Sequence, residues 1–391
     1  MAFDFDTVVD RRGTNSLKYD FAKERLKPEG ILPLWVADMD FPTAPAILER
    51  LEELVKHGIF GYTDGKDDYF AAVAGWYQKH FNWKIERRWL IKTPGVVFAL
   101  AMAVRAFTEE GDSVLIQQPV YYPFQEVIKD NHRKLVNSPL KQVDGRYEMD
   151  FEDFEKKITE EKVKLFLLCS PHNPVGRVWS EKELRKMGDI CQKHSVLVVS
   201  DEIHSDFVWQ DNEHKIFASL SPEYAEMTVT CTAPSKSFNL AGLQISNILI
   251  SNDALRRKFR HEINAAGYSQ VNAFGLAACQ AAYESGEEWL KEAKAYIWDN
   301  YLFLKEYFAQ NMPQIQIGDL EGTYLVWMDF RSLGMTEAER EDLIVNKANL
   351  WLDSGAMFGV DGEGFERINI ACPRKTLEKA LSQLKEALAH N

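Results

Sequence analysis

Basic charge is in deficit in this chain of 391 residues. Its 46 Lys and Arg face 59 Asp and Glu, a net charge of −13. Nucleic acid and anionic membranes are therefore excluded as expected partners. Nothing in the sequence resembles a membrane span. The amino terminus, Met-Ala-Phe-Asp-Phe-Asp, lacks the basic flank and apolar core of a signal peptide, so a cytoplasmic protein is expected. Cysteine is scarce. The five (Cys169, Cys191, Cys231, Cys279 and Cys372) are scattered, odd in number and free of metal-like spacing. They read as small buried residues rather than bridges or ligands, and no metal is expected. Internal repeats, low-complexity segments and long polar tracts are missing too, which argues against a solenoid and against disorder.

What is present is a sizeable core. Hydrophobic residues make up 46%, and the length exceeds what one core usually serves, so two domains are expected. An extended segment, Leu32 to Pro42, is closed by proline at each end. Helical spacing then covers Pro45 to His57, and again Tyr69 to Phe81 after the turn Phe60-Gly61-Tyr62-Thr63-Asp64-Gly65. From about Ile91, strand-like and helical runs alternate. The strands are Ser113 to Gln117, Leu165 to Cys169, Val196 to Ser200, Met227 to Cys231 and Ile245 to Ile250. The clearest helix between them is Glu181 to His194, with Ser180 as its N-cap. Such alternation implies an α/β fold with a mostly parallel sheet covered by helices. Leu255 to Ala309 is almost wholly helical and suits a connector. A smaller α/β unit follows, with strands at Thr323 to Phe330 and Arg367 to Ala371 and helices at Glu337 to Ser354 and Thr376 to Leu388. The expected division is an N-terminal segment 1–90, a large domain 91–285 and a small domain 286–391.

Three motifs end or follow strands of the large unit, where open α/β sheets place their sites. They are Ser170-Pro171-His172-Asn173-Pro174-Val175-Gly176, Ser200-Asp201-Glu202-Ile203-His204 and Thr232-Ala233-Pro234-Ser235-Lys236-Ser237-Phe238-Asn239. Lys236, on a tight hydroxyl-rich connection, could form a Schiff base, because a desolvated amine loses part of its proton affinity. Free N–H groups from Gly95 to Val97, opening a helix that runs to Glu110, would bind an anion.

Taken together, these motifs closely resemble the pyridoxal 5′-phosphate enzymes of the aminotransferase fold, fold type I, along nearly the whole chain. Leu34-Trp35-Val36-Ala37-Asp38-Met39-Asp40-Phe41, Asp201-Glu202-Ile203-His204, Ala233 to Asn239 and Glu321-Gly322-Thr323-Tyr324-Leu325-Val326-Trp327 narrow the likeness. They look like the bacterial C–S lyases, the cystathionine β-lyase and cystalysin group of class I/II aminotransferase-fold proteins.

The resemblance implies a role for each matching residue. Lys236 would carry the cofactor and take the substrate Cα proton. Asp201 would pair with the pyridine nitrogen, Asn173 would donate to the phenolic oxygen, and Tyr121 would stack on the ring, with Tyr122 as its neighbouring rival beside the substrate. The phosphate would be held by Gly95, Val96, Val97, Ser235 and, from a second subunit, Tyr62, which implies a homodimer with shared sites. Arg367 would clamp the α-carboxylate of an amino-acid substrate at two points, with Arg374 as the alternative. Two departures from the aminotransferase pattern favour a lyase: Gln244 stands where aminotransferases have a phosphate-binding arginine, and His204, at the cofactor, replaces a tyrosine. The expected activity is β-elimination from cystathionine, cysteine or another cysteine S-conjugate. The alternatives are an aminotransferase, or a protein of this fold with a regulatory partner-binding role.

Overall fold

The structure is a computed structural model, and it describes residues 2–390. Its larger sheet has seven strands: β1 (Leu90–Thr93), β2 (Ser113–Ile116), β3 (Lys134–Asn137), β4 (Leu165–Cys169), β5 (Leu197–Asp201), β6 (Thr228–Thr232) and β7 (Ser246–Leu249). Their order is β1-β7-β6-β5-β4-β2-β3. Neighbours from β6 to β3 pair in parallel, and β7 runs antiparallel to both β6 and β1. The mostly parallel sheet expected from the alternation is therefore present. β1 and β3 fall outside the strand-like runs of the sequence.

The continuous apolar run Leu165–Cys169 is buried throughout because helices cover both faces. Leu165, Leu167 and Cys169 pack with Ala99, Leu100 and Ala103 of the helix Val96–Phe107. Phe166 and Leu168 pack on the other face with Phe154, Leu184 and Met187, from the helices Phe151–Glu160 and Glu181–Lys193. The latter begins with a capping box, in which Ser180 and Glu183 satisfy each other's backbone N–H groups.

Cys169, Asp201 and Cys231 lie side by side in register at the carboxyl ends of β4, β5 and β6. The three motifs that follow those strands therefore emerge along one edge. Register, more than any single residue, assembles the site.

The helices Asp253–Ala265, Ala273–Ser285 and Glu287–Asn311 fill the stretch read as helical. A second, antiparallel sheet follows: β8 (Gln316–Ile317), β9 (Leu325–Asp329), β10 (Asp353–Ser354) and β11 (Phe365–Asn369), in the order β8-β9-β11-β10. Here one expectation fails. The helix read over Glu337 to Ser354 stops at Lys347, after a π-helical turn from Asp342. Asn349 then adopts φ 52°, the left-handed conformation in which asparagine commonly ends helices. Beyond it, Leu350–Trp351 pairs in parallel with Leu32–Pro33, and Asp353 joins the sheet directly opposite Arg367. Arg374 opens the last helix, Arg374–Ala389. Among the described residues, no helix is long and apolar enough to cross a membrane.

Candidate active site

Asp201 is the last residue of β5 and is 4% exposed. Its Oδ1 accepts from the backbone N–H of Ile203 at 3.1 Å. Burial pushes its carboxyl up to about 7, against the pull of that hydrogen bond and of the Lys236 charge. Lys236 lies in a four-residue helix, Pro234–Ser237, that tightens the link after β6. Its Nζ donates to the carbonyl oxygen of Ala37 at 2.7 Å. Burial brings this amine down to about 8; Arg367 pushes the same way, while Asp38 and Asp201 oppose. An acid whose charge is disfavoured and an amine that sheds its proton near neutrality share one enclosed space, a pattern typical of reactive sites.

Asn173 follows β4 and accepts from Arg367 Nη1 through Oδ1 at 2.9 Å. The amide NH2 is then its uncommitted end. Arg367, in β11, is 2% exposed. It also donates through Nη2 to the Trp35 carbonyl oxygen at 2.7 Å and to Asp353, and Phe358 lies against its guanidinium at 4.9 Å. His204 is buried edge-on to Tyr324, with ring centroids 5.7 Å apart. Its Nδ1 has no hydrogen-bond partner among the described residues, and burial holds the imidazole well below its usual range, mainly as the neutral form. Tyr121 is tied to the same loop by its backbone N–H, which donates to the Asn173 carbonyl at 3.0 Å. Burial raises its phenol.

The opposite end of the site is made of backbone. Gly95 precedes the helix Val96–Phe107 at φ 140°, a conformation that side chains resist, and an added Cβ there would meet nothing within 4 Å. No side chain caps this helix. Its first N–H groups have no side-chain partner, Gly95, Val96 and Val97 border a cavity, and the helix dipole makes that end attractive to an anion.

A cavity of about 410 Å³ joins these parts. It is lined by Gly95, Val96, Val97, Tyr121, Asn173, Asp201, His204, Ser235 and Lys236, as expected from the sequence, and by Gln244. Three expected residues do not line it. Tyr122 is half-buried beside Tyr121 and Phe358. Arg367 reaches the cavity only through Asn173. Tyr62 lies outside it and is 96% exposed. Two features escaped the sequence reading: the Ala37 carbonyl that holds Lys236, and Asp353. The signal for Asp353 was Asn349, a helix stop placed just before it.

The pattern described as aminotransferase class I and II matches residues 29–384. The chain belongs to the class I and II aminotransferase family. Its α/β architecture is that of the fold type I pyridoxal-phosphate enzymes. It is 43% identical over 385 residues to the cystathionine β-lyase PatB of Bacillus subtilis, covering 98% of this chain and 100% of that one. A pyridoxal-phosphate-bound chain of Clostridium difficile, described as a candidate aminotransferase, superimposes with a TM-score of 0.97 at 42% identity, covering 99% of this chain and 100% of that one. Cystalysin of Treponema denticola, which contains a pyridoxal 5′-phosphate cofactor, superimposes with a TM-score of 0.96 at 39% identity, covering 100% of both chains.

Proposed function

We propose that this family member is a pyridoxal-phosphate-dependent β-lyase that cleaves the C–S bond of L-cystathionine, L-cysteine or a related cysteine S-conjugate, giving pyruvate, ammonia and a thiol or sulfide. The observation that carries the reading is Lys236, Asp201 and Asn173 in one cavity, on a chain 43% identical to a cystathionine β-lyase along its length. Thiol release from cystathionine without an added 2-oxo acid is the test.

The residues present fit the cofactor. A buried carboxylate with one backbone partner, an amine that deprotonates near 8, an aromatic ring and an uncapped helix terminus bordering the cavity match its ring nitrogen, aldehyde, ring face and phosphate. When bound, the cofactor supplies an aldehyde that condenses with amines and a ring that draws electrons from the amino-acid Cα.

The chain's own residues do the rest. Lys236 Nζ would hold the cofactor's aldehyde carbon and, as a neutral amine, would accept the substrate Cα proton. Asp201 would keep a proton on the ring nitrogen, and a cation there would favour its ionised form over the protonated form favoured by burial alone. Asn173 presents its NH2 to the phenolic oxygen while its Oδ1 steadies Arg367. Arg367 takes the substrate carboxylate beside Tyr122, and Tyr121 packs on the cofactor. The N–H groups at Gly95, Val96 and Val97, with Ser235, hold the phosphate, and His204 stays neutral at the pocket wall.

We further propose a homodimer. Tyr62 and its neighbours Ile59 and Phe60 are exposed together, a patch suited to a second copy whose phosphate site Tyr62 would complete. The cysteines, all buried and unpaired, support a reducing, cytoplasmic setting. On the same reading, 1–90 joins the small domain and the interface, 91–285 carries the cofactor and 286–391 forms the small domain.

A further inference from the structure

Arg367 has five N–H groups, and the surrounding structure engages three of them. Nη2 donates to both the Trp35 carbonyl and Asp353, and Nη1 donates to Asn173 Oδ1. The Nε N–H is buried and has no partner among the described residues. An unmet buried donor on an otherwise committed arginine points to an absent acceptor. Asp353 is as buried as Arg367, both at 2% exposure, and faces it across paired strands, so the contact is set by sheet register rather than by two flexible side chains. Phe358 closes one face of the guanidinium.

We propose that Asp353 is a positioning residue for substrate carboxylate binding. By occupying Nη2 from the neighbouring strand, it fixes the plane of the guanidinium. The buried Nε N–H is then the donor left free for an α-carboxylate, since the second Nη1 N–H lies on the opposite edge of the guanidinium. It also supplies the counter-charge without which Arg367 would be a lone buried cation beside Lys236, whose proton affinity Arg367 already depresses. A carboxylate arriving at a clamp fixed in this way loses little freedom in finding its one orientation. The proposal rests on Arg367 as the carboxylate clamp.

The test uses the holoenzyme and two probes that differ in the carboxylate alone. L-alanine carries it and ethylamine does not; binding of each is followed by the change in cofactor absorbance. Arg367→Ala establishes the clamp if it weakens alanine at least about ten-fold more than ethylamine. Asp353→Ala is expected to weaken alanine about ten-fold and leave ethylamine within about two-fold. Its KM for a cysteine conjugate should rise far more than its kcat falls. Asp353→Asn, similar in shape and still able to accept, should lie between wild type and Asp353→Ala, and it keeps the test open if the alanine variant does not fold. Equal weakening of both probes by the Asp353 variants, or a fall in kcat with KM unchanged, overturns the positioning role. If Arg367→Ala fails to separate the probes, the clamp itself is misassigned and the proposal falls with it.

Discussion

The carbonyl oxygen of Ala37 accepts from two side chains at once, Lys236 Nζ at 2.7 Å and the Tyr324 hydroxyl at 3.0 Å. Two donors on one buried carbonyl mean that either can leave without orphaning it. On the proposed role of Lys236 as the cofactor anchor, it is the one that would leave. Tyr324 then keeps the segment Trp35 to Phe41 satisfied against the pocket.

Tyr324→Phe should accordingly destabilise the cofactor-loaded protein more than the cofactor-free protein, by roughly 1–3 kcal/mol, the cost of an unmet buried acceptor. Thermal unfolding of both forms measures the difference. An equal loss in both forms would show that the tyrosine matters only for packing.

Lys236 itself should capture the cofactor in its neutral form. Burial places its titration at about 8 instead of the ordinary 10.5. The neutral fraction grows as pH rises through that value, so the capture rate of the cofactor-free protein should rise with pH and level off just above 8. A plateau delayed to about 10 would mean that the amine is solvated. Lys236→Ala should lose turnover by several orders of magnitude, and borohydride should label no other lysine.

Asp201 links stability to pH with a definite sign. Its carboxyl titrates at about 7 in the fold against an ordinary 3.8, so between those values the folded state holds a proton that the unfolded state has released. Its contribution to the stability of the cofactor-free protein therefore falls as pH rises from about 4 to 7. Asp201→Asn, permanently neutral, should raise the cofactor-free Tm at pH 8 by at least about 2 °C and leave it unchanged near pH 4. In the holoenzyme the same change should lower kcat much more than it raises KM. A variant that alters only KM would identify Asp201 as a structural cap.

How far these features could be read in advance depended on what kind of signal each carries. The helix Pro45–His57 was legible to the residue, since proline opens it, apolar residues recur on one face and Gly58 closes it in the left-handed conformation. β4 was legible because Leu-Phe-Leu-Leu-Cys is buried on both faces. β3, Lys-Leu-Val-Asn at the sheet's edge, was not: an edge strand buries too little to need a distinctive pattern. Lys236, Asp201 and Asn173 stood out because their chemistry lies in side chains at strand ends. The Ala37 acceptor could not stand out, because every residue has a carbonyl. Asp353 was hidden by a helical reading carried past Asn349.

Tyr62 tests whether a second subunit completes the site. Tyr62→Phe should weaken cofactor affinity by about 1.5–3 kcal/mol, one charge-assisted hydrogen bond. An inactive Tyr62 variant mixed with Lys236→Ala should regain activity after subunit exchange, because one site of the mixed pair is intact. No recovery, with exchange verified by mass, would place the tyrosine outside the site.

The fate of the amino acid after loss of its Cα proton, proposed to pass to Lys236, is the most direct test of the central claim. The measurement is a product balance for L-cystathionine turned over by the holoenzyme, with and without 2-oxoglutarate. The expected result is pyruvate, ammonia and thiol in equal amounts, independent of the 2-oxo acid, with alanine or aspartate transaminated at least ~100-fold more slowly, about 2.7 kcal/mol in barrier. Obligatory dependence on 2-oxoglutarate with no thiol released would contradict a lyase and make the protein an aminotransferase.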